Sequence, residues 1–143
     1  MKRIVCLVVV ACLIPVCSFA VDISRFNDNA MYLGEEAIDE SSVSKFGDSF
    51  LCTIGNIKIM FDEDGNRIKR VTVQGDGTSF LSYAMAAIMV FDNRTATFAD
   101  NAGKLFSSYL LAKTNGLQSA FISTGEFFII NPVDGEFYFT VGK

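Results

Sequence analysis

The chain has 143 residues, of which 50% are hydrophobic and 20% are charged, and its formal net charge at pH 7 is −4. This length allows one compact domain or two very small ones. The chain has no His, which excludes Ser-His-Asp and Cys-His catalysis and zinc sites built on imidazole. Its acidity argues against a nucleic-acid partner, because binding to a phosphate backbone needs a basic surface.

The first twenty residues carry the features of a secretory signal peptide. Lys2 and Arg3 supply a positive start, a mostly apolar run follows, and Ser18 and Ala20 place small residues at −3 and −1 of a cleavage point. We therefore predict cleavage after Ala20 and a secreted or periplasmic product. The membrane enters this prediction only through an uncleaved or lipidated N-terminus.

Two alternatives keep the chain at a membrane. An uncleaved anchor needs roughly 20 apolar residues, and the segment 4–20 is short for that purpose. A lipid anchor would use Cys12 or Cys17, although the residues around each Cys depart from the usual lipoprotein pattern. Cleavage would leave 123 residues with a formal charge of −6.

Cys52 is the one Cys outside residues 1–20, so cleavage would leave no partner for an intrachain disulfide. It lies in a strand-like run and has no imidazole to activate it. We predict a small buried hydrophobic side chain rather than a reactive thiol.

Residues 21–45 are predicted to be an irregular or partly helical lead-in to a single α+β domain over 46–143. Helical spacing on one side favours a short helix over about 30–39, and a solvated segment without a helix is the alternative. From about residue 49 the pattern predicts a three-stranded antiparallel meander over 49–73. Its hairpin turns are Gly55-Asn56 and the segment 62–66.

Two helices are predicted next, over about 78–91 and 100–115. The first is apolar almost all round and should be buried, with Thr78 or Ser79 as its N-cap. The second has a start like a capping box at Thr97 and Asp100 and a stop at Asn115-Gly116. A second three-stranded meander is predicted over about 117–141, with turns at 124–125 and 132–135.

The second meander is aromatic on both faces of its strands, since five aromatic residues stand in two adjacent groups: Phe127, Phe128, Phe137, Tyr138 and Phe139. Such strands are covered on both faces or expose an apolar patch. Core packing is one interpretation. The other interpretation is a contact surface for a protein partner. It predicts that Phe137→Asp or Phe139→Asp weakens binding to the partner and leaves folding intact.

The two meanders align without a gap at an offset of 70 residues. Six identities fall in 49–71 against 119–141, which favours an internal duplication; independent reuse of Gly turns is the alternative. Tandem units of helices followed by a sheet are similar in outline to the secreted beta-lactamase inhibitory proteins. The likeness covers no sequence motif, and the chain lacks the Trp and paired Cys residues expected of that family.

Several short motifs resemble known sites but lack essential residues. Gly75-Asp76-Gly77 lacks the further Gly of a dinucleotide loop, and Asp62, Asp64 and Asn66 lack the Gly and Glu of a calcium loop. Ser42 to Lys45 matches S-x-x-K without its companion motifs. Asn93-Arg94-Thr95 is a glycosylation sequon, which matters only in a eukaryote.

No catalytic, metal-binding or cofactor-binding set is predicted. Glu126 and Glu136 are placed across a hairpin from each other, where a carboxylate pair could act in hydrolysis. The sequence thus predicts an exported binding module without enzymatic activity or cofactor, whose partner is another protein. A small carboxylate-dependent hydrolase and an envelope lipoprotein with a structural role are the alternatives.

Overall fold

A computed structural model describes residues 21–132 and 135–143, so the predicted signal peptide and both anchoring alternatives lie outside the described residues. Over these residues the fold is α+β, with three α-helices and one seven-stranded antiparallel sheet. The helices are α1 (Val21–Tyr32), α2 (Gly77–Phe91) and α3 (Thr95–Asn115). The strands are β1 (Ser44–Phe46), β2 (Ser49–Ile54), β3 (Ile57–Asp64), β4 (Arg67–Gly75), β5 (Gln118–Ile122), β6 (Gly125–Ile130) and β7 (Phe137–Gly142).

The sheet has the strand order β1-β2-β3-β4-β7-β6-β5. Strands β4 and β7 pair at its centre, with Val71 opposite Val141, although long stretches of chain separate them. Tight turns join β2 to β3 and β3 to β4. Gly55 and Gly65 occupy these turns with φ values of 59° and 65°, a conformation that favours glycine.

All three helices lie on one face of the sheet, which we call the inner face; the opposite face is the outer face. Burial alternates along the central strands, as expected where helices cover one face only. Helix α2 lies over β4 and β7 and is buried on most sides. The inner face supplies Ile57, Ile59, Phe61, Val71, Val73, Phe127, Ile129, Phe137, Phe139 and Val141 to the core.

Helix α1 belongs to this core. The Phe26 ring meets Phe61 edge-on at 5.1 Å between centroids and stacks on Tyr83 at 6.2 Å. The helix expected over 30–39 therefore lies earlier in the chain. It stops at Tyr32 because Gly34, at φ 84°, ends it in the left-handed conformation.

Helix α3 begins at Thr95, five residues before its predicted start. The expected capping box is absent from this start. The Thr97 hydroxyl donates instead to Asp92 Oδ1 at 3.0 Å, and Asp100 pairs with Lys104 at 2.6 Å. Thr97 therefore bonds to Asp92, outside the helix, and Asp100 bonds to Lys104, instead of forming the predicted capping box.

The strand pairing repeats at 68 residues rather than at the offset of 70 given by the sequence identities. Cys52 pairs with Ile59, which pairs in turn with Val73. At 68 positions further, Ala120 pairs with Phe127, which pairs with Val141. The first hairpin of the second half accordingly turns at 123–124, and Gly125 already belongs to β6.

Candidate binding face of the sheet

The aromatic residues of β6 and β7 divide between the two faces. Phe127, Phe137 and Phe139 point inward and are at most 2% exposed, whereas Phe128 and Tyr138 point outward and are 39% and 38% exposed. The expectation that Phe137 and Phe139 form a contact surface is therefore wrong. Both side chains are core, and any contact surface on these strands must use their outward neighbours.

Strand pairing arranges the outer face in three rows that cross the sheet. The middle row runs through Met60, Thr72, Thr140 and Phe128, which are successive partners in the registers of β3, β4, β7 and β6. The hydroxyls of Thr72 and Thr140 lie 3.2 Å apart and hydrogen-bond to each other at the centre. The row thus changes from polar at the sheet centre to aromatic at β6.

A second row lies toward the end of the sheet that holds Gly142. It contains the ion pair of Arg70 Nε and Asp62 Oδ2, at 2.8 Å, then Gly142, Glu126 and Phe121. Because Gly142 has no side chain, Arg70 and Glu126 border a cavity of about 620 Å³. Phe121, Phe128 and Thr140 also line it.

Gly142 could not be replaced without movement. A Cβ atom there would lie 2.6 Å from the backbone oxygen of Lys69. Gly125 is equally confined, since its Cβ would lie 2.3 Å from the backbone oxygen of Gly142. The floor of the cavity is therefore built from closely approaching backbone, which holds its shape.

The third row contains Lys58, Gln74, Tyr138 and Ile130. The Gln74 side-chain amide donates a hydrogen bond to Glu136 Oε2. A smaller cavity of about 390 Å³ lies between the third row and the other two rows, and it shares Arg70, Phe128 and Thr140 with the larger cavity. The two cavities are thus parts of one continuous surface on the outer face.

Glu126 and Glu136 do not face each other across the hairpin, contrary to expectation. The register puts Gly142 opposite Glu126, whereas Glu136 precedes β7 and accepts its hydrogen bond from Gln74. No strand pair joins the two carboxylates. The structure therefore gives no support to a hydrolytic pair at these positions.

A further cavity, of about 450 Å³, lies between the C-terminal half of α1 and the segment joining α2 to α3. Tyr32 and Phe98 form an aromatic wall, with their rings edge-on at 6.4 Å. Asp28 and Asp92 contribute carboxylates, and Asn93 of the sequon lies exposed at its rim.

Asp92 is the most strongly held carboxylate among the described residues. Its oxygens accept hydrogen bonds from four side chains at 2.7 to 3.1 Å: Arg94, Thr97, Asn101 and Ser123. Burial alone would raise its pKa, but these donors outweigh burial and hold the pKa well below the usual range. A carboxylate with all its acceptor positions occupied joins α2, α3 and the β5–β6 turn and is unsuited to proton transfer.

The turn Gly75-Asp76-Gly77 also has a structural role. Asp76 is the N-cap of α2 and accepts hydrogen bonds from Gly77 N at 2.7 Å and from the Tyr109 hydroxyl at 2.6 Å. The Tyr109 hydrogen bond is the main cause of a lowered Asp76 pKa. The predicted caps Thr78 and Ser79 are wrong, because Asp76 precedes them and accepts the bond.

The remaining motifs do not assemble into sites. Asp62 turns to Arg70 and Ser49 on the outer face, away from the β3–β4 turn. The Ser42 hydroxyl donates to the backbone oxygen of Asp39 in a 3-10 turn spanning Glu40–Ser42. Among the described residues, no three metal-ligating side chains come together.

Cys52 is buried, as predicted. Burial raises the pKa of its thiol to about 12, against a smaller opposing effect of a hydrogen bond to the Ile59 backbone. Its thiolate is therefore scarce at neutral pH, which makes the side chain unreactive.

No protein-family model, curated protein or solved structure matches this chain. Within residues 21–132 and 135–143, none of the helices is sufficiently long and apolar to cross a membrane.

The residues of the outer face could be predicted only in part from the sequence. The sequence shows that aromatic residues are adjacent at 127–128 and 137–139, but it does not show which face of the strands the helices cover. The contributions of Met60 and Arg70 had no signal beyond strand alternation.

Proposed function

We propose that the chain is an exported, non-enzymatic module that binds another protein through the outer face of its sheet. The observation that carries the proposal is that none of the helices in the described part of the chain covers this face, which exposes Phe128, Ile130 and Tyr138 side by side. Isolated exposed apolar residues are common on soluble proteins, but a contiguous patch with polar borders marks interaction sites.

The composition of the face supports a protein partner. Aromatic residues, Met and Arg are enriched at protein interfaces, and here they are Phe128, Tyr138, Met60 and Arg70. The Arg70–Asp62 pair holds one border in place, and the cavity above Gly142 offers a recess for a partner's side chain. Fixed backbone under the recess lowers the conformational cost of binding.

Absence of catalysis is part of the proposal. Glu126 and Glu136, the two carboxylates that the sequence offered for hydrolysis, are separated, and the acceptor positions of Asp92 are occupied by hydrogen-bond donors. General acid–base work requires a group that can take and release a proton near neutral pH. These arrangements support a binding role over a carboxylate-dependent hydrolase.

The test compares a face variant with a matched control. Phe128→Asp with Tyr138→Asp puts two charges on the outer face, and Phe106→Asp puts one on the exposed side of α3. Immobilised proteins are incubated with envelope and culture-supernatant fractions of the source organism. We expect wild type and the Phe106 variant to retain a common protein at the same yield, and the face variant to lose it.

Thermal unfolding of all three proteins checks that folding is intact. Retention of the same protein by the face variant at the wild-type yield would overturn the proposal. Loss from the Phe106 variant alone would place the contact on α3 instead.

Export is proposed from residues 1–20, and it has its own measurement. Mass spectrometry of the protein from its source distinguishes a free N-terminus at Val21 from an acylated Cys or an intact leader. Cleavage after Ala20 supports a secreted or periplasmic module. Acylation would favour the alternative of an envelope lipoprotein.

We also propose that the two meanders arose by duplication. Support comes from ladder pairs that recur at 68 residues and from Thr72, whose partner across the central strand pair is Thr140 at the same spacing. The offset of 70 instead aligns Gly55, which lies in a turn, with Gly125, which lies in β6. In relatives of the chain, the segments that correspond to 49–74 and 117–142 should match each other better at an offset of 68 than at an offset of 70.

A further inference from the structure

The two edges of the sheet differ in how they are protected. Strand β1 has three residues, with Lys45 at its centre. Strand β5 has five residues, 118–122, with no charge, no Pro and no irregularity in its register. Short strands and charges block strand addition, whereas a longer uncharged edge invites it.

The backbone of β5 is arranged to accept another strand. Ile122 and Gly125 close a two-residue turn, so hydrogen bonds to β6 fall at 118, 120 and 122 by alternation. The N–H and C=O groups of Ser119 and Phe121 consequently point away from the sheet. The Phe121 carbonyl points away from β6 and accepts a hydrogen bond from Lys104 Nζ at 3.1 Å, so an added strand has to share this carbonyl with Lys104 or displace it.

Apolar side chains accompany this edge. Phe121 is 72% exposed, the highest value among the larger hydrophobic residues after Tyr32, and Leu117 and Leu111 are each about half exposed beside it. Two β5 strands paired antiparallel about Ala120 would place Ser119 opposite Phe121 of the other copy. The two residues would then exchange backbone hydrogen bonds on each side of the two-fold axis.

The distribution of charge permits a second copy at this edge without repulsion between the acidic parts of the two chains. Residues 21–48, which include α1 and β1, contain seven acidic and two basic residues, whereas 95–130, which include α3, β5 and β6, contain two of each. Six strand spacings separate β1 from β5, or about 29 Å, so the acidic ends of two copies would lie far beyond the roughly 8 Å Debye length at physiological salt.

We infer that the chain forms a closed two-fold dimer in which β5 of one copy pairs with β5 of the other. Because β5 can accept a strand and β1 cannot, pairing of β5 with β5 gives a closed dimer. A filament would need β5 of one copy to pair with β1 of the next copy. The outer faces of the two copies then join into a single surface of fourteen strands. This inference does not depend on the proposed function.

A cross-link tests the dimer and its register together. With Ala120→Cys, the two new thiols would meet across the axis at a non-hydrogen-bonded pair, where Cα atoms lie about 4.5 Å apart. Mild oxidation of the secreted protein should convert most of the chain to a disulfide-linked dimer on a non-reducing gel. Lys45→Cys, at the centre of the other edge, is the matched control and should stay monomeric.

Light scattering with size exclusion measures the mass without a cross-link. We expect twice the chain mass for wild type and for the β1 variant Phe46→Lys, and the mass of one chain for Ser119→Pro and Phe121→Lys. Ser119 is a site where Pro leaves the β5–β6 ladder intact, and circular dichroism verifies folding. A wild-type protein that stays monomeric at every soluble concentration, or equal cross-linking at 45 and 120, would overturn the inference.

Discussion

The inner and outer faces of β6 and β7 look alike in sequence and differ in environment. Phe127 and Phe139 lie under the helices with no measurable exposure, while Phe128 and Tyr138 stand one residue away with more than a third of their surface in solvent. Of two adjacent aromatic residues on one strand, one therefore packs in the core and the other lies on the surface. The difference shows that aromatic content alone does not locate a core, since the layer that covers the strand decides it.

The largest expected effect comes from truncation on the inner face. Phe139→Ala should lower the free energy of unfolding by about 3–5 kcal/mol, because it leaves a cavity where the ring packs on Phe127. Phe128→Ala, one strand pair away on the outer face, should cost less than about 1 kcal/mol. Urea unfolding at neutral pH measures both, and equal losses would contradict the assignment of the two faces.

Asp92 gives the next effect. Asp92→Asn should cost about 2–3 kcal/mol, because the buried carboxylate of Asp92 loses its charged hydrogen bonds. Since the native fold lowers the Asp92 pKa, its contribution is complete above the unfolded value near pH 4 and is lost as the pH falls below it. The stability difference between variant and wild type should therefore shrink on acidification from about pH 5 to pH 2; a constant difference would contradict this.

Gly142→Ala tests the floor of the outer cavity. Its Cβ would meet the Lys69 backbone oxygen, so we expect a loss of about 1–2 kcal/mol. Gly103→Ala is the control, because it lies within α3 with nothing within 4 Å of the new Cβ. That change should raise stability by about 0.5–1 kcal/mol. Thermal unfolding should move the two variants in opposite directions.

The smallest effect is expected at the border of the outer face. Arg70→Gln removes the pair with Asp62, which lies where water screens it, and should cost under about 1 kcal/mol. The loss should decrease further in high salt. A loss of several kcal/mol that persists in high salt would mean that Arg70 supports the core rather than the surface.

Local pattern predicted much of this fold. Alternation at Ile57, Ile59 and Phe61 indicated a half-buried strand, and the almost wholly apolar α2 indicated a buried helix, because both signals arise within a few residues. The position of α1 was harder to predict, because Ile23 and Phe26 are scattered among polar residues. Their burial depends on contacts with Phe61 and Tyr83, far along the chain.

The candidate site was harder to predict for a similar reason. Its rows join β3, β4, β7 and β6, so each row combines residues that only the sheet order brings together. Sequence adjacency directed attention to Phe137 and Phe139, one residue away from the exposed Tyr138. The network around Asp92 was likewise out of reach, because its donors come from α3, the preceding segment and the β5–β6 turn.

The central position of β7 has a consequence for the order in which the chain can fold. Until residues 137–142 are in place, β4 and β6 each lack a neighbour and the two halves of the sheet have no backbone bonds between them. Pairings that close such long stretches of chain are slow to form. A chain still emerging from a ribosome would therefore stay incompletely folded until this strand arrives.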